Sequence, residues 1–168
     1  IDLEHPRIVY SGPQAIRNSS AIFSAMMQEL SGPDIRLLDL GCGPKDQKAP
    51  AESLGWKYVG VDYFHNNADL LADAHGLPFQ SGAFSAVLSY SVLQHLYDPW
   101  LAMAEVGRVL ETNGLFCGTV SFGEPFQSSY MHLSPWGLLS LFRTSGFQIQ
   151  QMWPIYDTLV ALGRIGRY

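Results

Sequence analysis

The stretch Leu37-Leu38-Asp39-Leu40-Gly41-Cys42-Gly43-Pro44 constrains this chain more than any other. A short apolar run that closes on an acid and then Gly-x-Gly reads as a buried strand ending in a tight loop. Glycines there let the backbone approach a ligand without a Cβ in the way. Asp39 sets a negative charge at the carboxyl end of that strand. A phosphate-binding loop avoids such a charge, and a cationic ligand favours it.

A dinucleotide site can be tested on the same residues. Its fingerprint is Gly-x-Gly-x-x-Gly, with the pyrophosphate resting on a helix N-terminus. Here Asp46 occupies the third glycine position and would repel a pyrophosphate. A second strand, residues 58–62, closes on Asp62 about twenty residues beyond the first glycine, where a carboxylate accepts from ribose hydroxyls. A ribose acceptor without a phosphate cradle points to a positively charged nucleoside, and S-adenosylmethionine has that chemistry. A nicotinamide-dependent oxidoreductase is disfavoured by Asp39 and Asp46.

Along the chain, helices and strands alternate without repeats or low-complexity linkers. Ser19 or Ser20 caps a helix reaching Leu30, with Ile22, Phe23, Met26, Met27 and Leu30 on one face. Residues 45–55 hold a short or irregular helix, since Pro50 falls inside it. Strands are expected around 69–72 and over 84–90. Asp98-Pro99 is an N-cap and N1 pair for a helix through Leu110. The turn Thr112-Asn113-Gly114 leads to a fifth strand over 115–120. Ser134-Pro135 opens a helix that stops at Gly146, residues 147–152 form a sixth strand, and residues 157–165 read as a final helix. Such alternation implies an α/β doubly wound, mostly parallel sheet with right-handed crossovers.

The 168 residues are expected to form a single domain, 1–33 a helical lead-in that could act as a lid and 34–168 the core. A net charge of −5 without any basic block argues against a nucleic-acid partner. Cys42 and Cys117 are too few for a disulfide framework and lack zinc-like spacing, so no metal is expected and a reducing, cytoplasmic setting is the default. No apolar run approaches membrane-spanning length. The start at Ile1, without a methionine, reads as a fragment or part of something longer.

Six segments in register carry a resemblance: LLDLGCGP (37–44), YVGVDYF (58–64), ADAHGLPF (72–79), AVLSYSVLQHLYDP (86–99), EVGRVLETNGLF (105–116) and LLSLFRTSGF (138–147). In these the chain resembles the class I S-adenosylmethionine-dependent methyltransferases, within them the ubiquinone/menaquinone-biosynthesis-like group. The resemblance implies a Rossmann-like sheet of order 3-2-1-4-5-7-6, although no seventh strand is evident in the sequence. It further implies that Gly41, Cys42 and Gly43 line the methionine portion of the cofactor and that Asp39 holds its ammonium. Asp62 would bind the ribose, with Tyr63 packing beside it. Asp73 would accept from the adenine amino group, the Ala74 amide would donate to a ring nitrogen, and Ser89 and Tyr90 would close the pocket. Lys45 stands where the family has its third glycine, and Ser85 where an acid is often found.

The same residues have plainer readings. The glycines could only turn the chain, Asp62 could cap the segment after β-strand residues 58–62, and Asp73 could form an Asx-turn. Their joint placement after successive strands favours a cofactor. For the acceptor, His132 and His95 are the candidate bases, and Tyr10, Phe126, Tyr130 and Trp136 the candidate walls. The expected function is methyl transfer to a small molecule, with a hydroxyl the favoured acceptor and carbon or nitrogen the runner-up. The alternative is a methyltransferase fold that serves as a non-catalytic binding or scaffold domain.

Overall fold

The computed structural model describes residues 19–123, 128–155 and 158–166. Arg36–Leu40 form β1, whose side chains go alternately to two apolar clusters, Leu38 and Leu40 to one and Leu37 to the other. Burial on both faces is what makes this strand a continuous apolar run, as parallel sheets require. Around it stand β2 (Lys57–Asp62), β3 (Leu70–Leu71), β4 (Phe84–Tyr90), β5 (Leu110–Ser121), β6 (Phe147–Ile155) and β7 (Thr158–Ile165). Their order is β3-β2-β1-β4-β5-β7-β6, parallel except for β7, which runs against both of its neighbours.

Helices cover both faces. α1 (Ser19–Glu29) and α2 (Lys48–Ser53) pack on one side through Phe23, Met26 and Ala51. α3 (Pro99–Val109) and α4 (Pro135–Thr144) pack on the other through Met103, Val106, Leu138 and Phe142. There Phe116, Phe142 and Phe147 meet edge to face at centroid distances of 5.3–6.1 Å. Such pairs contribute roughly 0.5–1.5 kcal/mol each beyond their buried area. Both expected caps are present: the Asp98 carboxylate accepts from the Leu101 amide at 3.0 Å, and Ser134 Oγ accepts from the Gly137 amide at 3.1 Å. Each is worth about 1 kcal/mol. Gly146 has the positive φ, +81°, of a residue just past a helix end.

Two expectations are corrected. Residues 158–165 are β7, not a helix, and so the seventh strand is present. The run Leu159-Val160-Ala161-Leu162 is buried throughout, alternate residues going to opposite clusters. An apolar run buried on both faces has no period to separate strand from helix. β5 also begins earlier than expected, at Leu110. The turn at Thr112-Asn113-Gly114 survives inside it as an irregularity: Phe84 pairs with Leu110 but Ala86 with Leu115, and Asn113 takes a φ of +62°.

Candidate functional site

β1 lies between β2 and β4, so the crevice at the carboxyl ends of these three strands is the topological switch point of the sheet. Pairing places Asp39 beside Gly60 and Leu88, Leu40 beside Ser89, and Asp62 beside Leu71. The carboxylates expected to bind are thereby brought to adjacent strand ends.

The glycine loop is stitched to β2. The Gly41 and Cys42 amides both donate to the Val61 carbonyl, at 2.8 and 3.0 Å, and the Gly43 amide donates to Asp62 Oδ2 at 3.1 Å. Gly41 and Gly43 have φ of +72° and +48°, where L side chains are strained. A Cβ at Gly41 would overlap Val92 Cγ2, whereas one at Gly43 would meet open space. Lys45 itself takes a left-handed φ, +63°. Its ammonium is neutralised by Asp69 at 2.9 Å, which Lys48 also reaches at 3.3 Å. Burial works against ionisation of Asp69, but the Lys45, Gly60-amide and Lys48 hydrogen bonds outweigh it and hold the carboxyl at about 2. Ser85, the other departure, accepts from the Arg36 amide at 3.4 Å.

Asp39 is buried and accepts from the Tyr58 phenol at 2.6 Å. Burial, with smaller contributions from Asp46 and Asp62, overrides the Tyr58 hydrogen bond and pushes its carboxyl up to about 6. Oδ1 of Asp39 has no hydrogen-bond partner among the described residues. Asp62 does cap the residues after β2, Oδ1 accepting from the Phe64 and His65 amides at 3.2 and 3.1 Å. Cys42 is buried, and burial with the Asp39 charge pushes its thiol up to about 12, so it contributes shape rather than a thiolate.

Asp73 forms the Asx-turn, its Oδ1 accepting from the His75 amide at 2.9 Å and from His75 Nδ1 at 2.5 Å. Oδ2 is left without a partner among the described residues. The two His75 hydrogen bonds hold the Asp73 carboxyl below the usual carboxylate range. On its other side His75 Nε2 accepts from the Asp98 amide at 3.4 Å, and the ring stacks on Tyr97 at 4.0 Å. Ala74 is buried. This segment is anchored to α3 by Arg108, which donates to the Leu77 and Phe79 carbonyls, while Glu105 accepts from the Leu77 amide.

On the far wall Ser89 is fully buried with no partner for Oγ among the described residues, and Tyr90 is exposed. His95 Nδ1 lies 2.9 Å from the Ser128 carbonyl, which can only accept, so that nitrogen carries the proton. His132 Nε2 lies 2.8 Å from Ser129 Oγ. Tyr63, Tyr130 and Trp136 are exposed, and Tyr130 meets Tyr97 edge to face at 6.5 Å. Tyr10 and Phe126 lie outside the described residues. Sequence reasoning missed Tyr58, Asp69, His75, Val92 and Tyr97. Only Tyr58 had a signal, its i+2 relation to Gly60 on one face of β2.

Residues 38–118, which contain the glycine loop and all three carboxylates, match the model of the methyltransferase domain family. The match covers just under half of the chain, and over it the chain is similar to a methyltransferase domain. The fold is that of the class I methyltransferases, Rossmann-like, with seven strands among the described residues. The chain is 27% identical over 109 residues to a ubiquinone biosynthesis O-methyltransferase of Ruegeria sp. (strain TM1040), covering 52% of this chain and 42% of that protein. The chain spans between 34% and 42% of the length of the curated relatives it matches. Among solved structures it is similar to the [4+2]-cyclase SpnF, with TM-score 0.74, 17% identity, and 87% and 80% of the two chains covered. It is also similar to the Burkholderia thailandensis 1,6-didemethyltoxoflavin-N1-methyltransferase, whose structure holds S-adenosylhomocysteine, with TM-score 0.72, 18% identity, and 90% and 78% covered. At such identities the likeness concerns the fold. No described helix is long and apolar enough to cross a membrane.

Proposed function

We propose that the crevice binds S-adenosylmethionine and that the methyltransferase domain passes its methyl group to a small molecule, with a hydroxyl the favoured acceptor. The observation that carries this reading is the carboxylate set. Asp39, Asp62 and Asp73 stand at or just past three successive strand ends, and Asp39 and Asp73 each keep one oxygen without a partner among the described residues. A pyrophosphate would meet these charges as repulsion. An ammonium, a ribose and an adenine amino group all donate hydrogen bonds, which carboxylates accept.

In this reading Asp39 Oδ1 takes the ammonium, a charge-assisted bond of roughly 1.5–3 kcal/mol. Gly41, Cys42 and Gly43 line the methionine portion, and the open space at Gly43 is the room it needs. Asp62 already has three amides on its two oxygens, so about one acceptor site remains for a ribose hydroxyl. Tyr63 packs beside the sugar, Asp73 and the Ala74 amide read the adenine, and Ser89 and Tyr90 close the pocket.

When bound, the cofactor supplies an activated methyl group. The protein aligns the acceptor and excludes water; alignment alone can contribute on the order of 7–11 kcal/mol. A hydroxyl acceptor must also lose its proton, a step in which a positioned base contributes roughly 10²–10⁴-fold. His132, with Ser129 beside it, is favoured as that base. His95 is already committed at Nδ1, which leaves it mainly to hold the 128–131 segment. Tyr130 and Trp136 are the described acceptor walls. Residues 1–33 are proposed as the lead-in and lid, and 1–168 as one domain acting in the cytoplasm without a nucleic-acid partner.

A second reading has a specific observation behind it: a protein of this fold is a [4+2]-cyclase, so the fold alone does not dictate methyl transfer. Calorimetric titration with S-adenosylmethionine, S-adenosylhomocysteine and NAD separates the possibilities. Saturable binding of both sulfur nucleosides and not NAD is the expected result, followed by methyl transfer in an acceptor screen. Binding without turnover on any acceptor would move the non-catalytic reading to first place, and no binding would remove the cofactor assignment.

A further inference from the structure

Tyr58 carries no role in the cofactor reading, yet its phenol is placed with unusual care. Leu37 and Asp39 of β1 pair in register with Tyr58 and Gly60 of β2. Tyr58 and Gly60 therefore face the same side, and the phenol must cross Gly60 to reach Asp39 one step along the ladder. It has room because Gly60 lacks a side chain. A Cβ there would sit 3.0 Å from the Tyr58 hydroxyl, from Cys42 Sγ and from Lys45 Cδ alike. The ring is further confined by the Lys48 ammonium, 6.0 Å from its centroid. The O–H donates to Asp39 Oδ2 at 2.6 Å, the length of a charge-assisted hydrogen bond.

We infer that Tyr58 is a positioning residue for the cofactor: its phenol fixes the Asp39 carboxylate and keeps it ionised, so that Oδ1 faces the ligand's ammonium. This rests on the cofactor reading above. The other groups around Asp39 do not supply the same help. Asp46 and Asp62 oppose its charge, Cys42 is a neutral thiol, and β4 presents Leu88 beside it. The nearby cations Lys45 and Lys48 are paired with Asp69. Burial and the Asp39 charge push the phenol's pKa far up, making it a much weaker acid, so it stays a protonated donor throughout the working range.

The test is Tyr58→Phe, which keeps the ring and removes the donor. Two readouts are needed on the full chain. The Asp39 carboxyl carbon is titrated by NMR without ligand, and S-adenosylhomocysteine affinity is measured from pH 5 to 9. Loss of one charge-assisted hydrogen bond is expected to raise the Asp39 midpoint by about one pH unit or more. The pH profile of affinity should move by the same amount. For a one-unit rise the variant should then bind about tenfold more weakly than wild type at pH 5, about threefold more weakly at pH 6.5, and almost equally at pH 9. A uniform loss at every pH, or an unmoved Asp39 titration in a variant that still binds, overturns the positioning role. A wild-type protein that fails to bind at any pH overturns the cofactor reading instead, and the unliganded titration then shows whether the Tyr58–Asp39 coupling stands without it. Circular dichroism of Tyr58→Phe at pH 9 confirms that the fold is intact.

Discussion

Gly41 and Val92 touch across the mouth of the crevice with no room for a methyl group between them. The contact seats the segment after β4 directly on the glycine loop, so the two walls of the site share one packing surface. Gly41 therefore has two duties, a left-handed backbone and a close approach. Gly43, two residues on, has the first without the second.

The two glycines should accordingly fail in different ways. Gly41→Ala combines left-handed strain of about 1–2 kcal/mol with overpacking of about 1–3 kcal/mol, and is expected to lower the urea midpoint markedly. Gly43→Ala should cost only the backbone strain, about 1–2 kcal/mol, while its methyl fills the space assigned to the cofactor. Urea unfolding and S-adenosylhomocysteine titration of both variants check this. Equal stability losses would show that the Gly41–Val92 contact is soft.

Asp39 should weaken the unliganded fold. Its carboxyl ionises near 6 in the folded chain instead of 3.8. Between those values the folded state holds a proton that the unfolded state has released, so stability falls as pH rises through the window. Above pH 6 the cost is on the order of 3 kcal/mol, and below about 4 it vanishes. Asp39→Asn removes the charge and keeps an acceptor for Tyr58. Thermal melts should show the variant gaining stability at pH 7.5, with the gain gone at pH 4, while cofactor affinity falls at least tenfold. A variant less stable than wild type at pH 7.5 would contradict the desolvation argument.

Asp62 supports the loop as well as the proposed ribose contact. Asp62→Ala should weaken S-adenosylhomocysteine binding by roughly 1.5–3 kcal/mol and also lower stability by about 1–2 kcal/mol, since three amides lose their acceptor. Asp62→Asn, able to accept through only one oxygen, should fall between. Unchanged affinity in the alanine variant would sink the ribose assignment.

The two histidines separate by rate. His132→Ala is expected to reduce kcat by about 10²-fold or more once an acceptor is known, whereas His95→Ala should cost less than about tenfold. His95→Ala should instead raise KM by loosening residues 128–131, where the Gln94 carbonyl accepts from the Tyr130 amide at 2.8 Å. The reverse pattern would make His95 the base.

The parallel half of the sheet was legible because its signals are local: an apolar run, an acid, a glycine pair, and caps written as Asp98-Pro99 and Ser134-Pro135. The positions of Asp39, Asp62 and Asp73 came from the same punctuation. The hidden features depend on partners far along the chain. Lys45 reads as an intrusion into a glycine motif until Asp69, 24 residues on, is seen to take its charge. His75 looks like turn material, and its stack on Tyr97 has no sequence signature. β7 was missed for the opposite reason: its neighbours bury it so evenly that the pattern marking a strand is erased.

That evenly buried strand also governs how the chain must assemble. β6 has no place in the sheet until β7 arrives, because β7 lies between it and β5. Leu115 pairs with Arg164 and Ser121 with Thr158, closing loops of roughly 40 to 50 residues before any ladder bond is gained there. During synthesis the strands around the crevice can meet as they emerge, while the exposed flank of β5 waits for residues made much later. The strands that hold the carboxylates thus all precede β7 in the chain, and the last of the seven described strands is the one that must slot between two earlier ones.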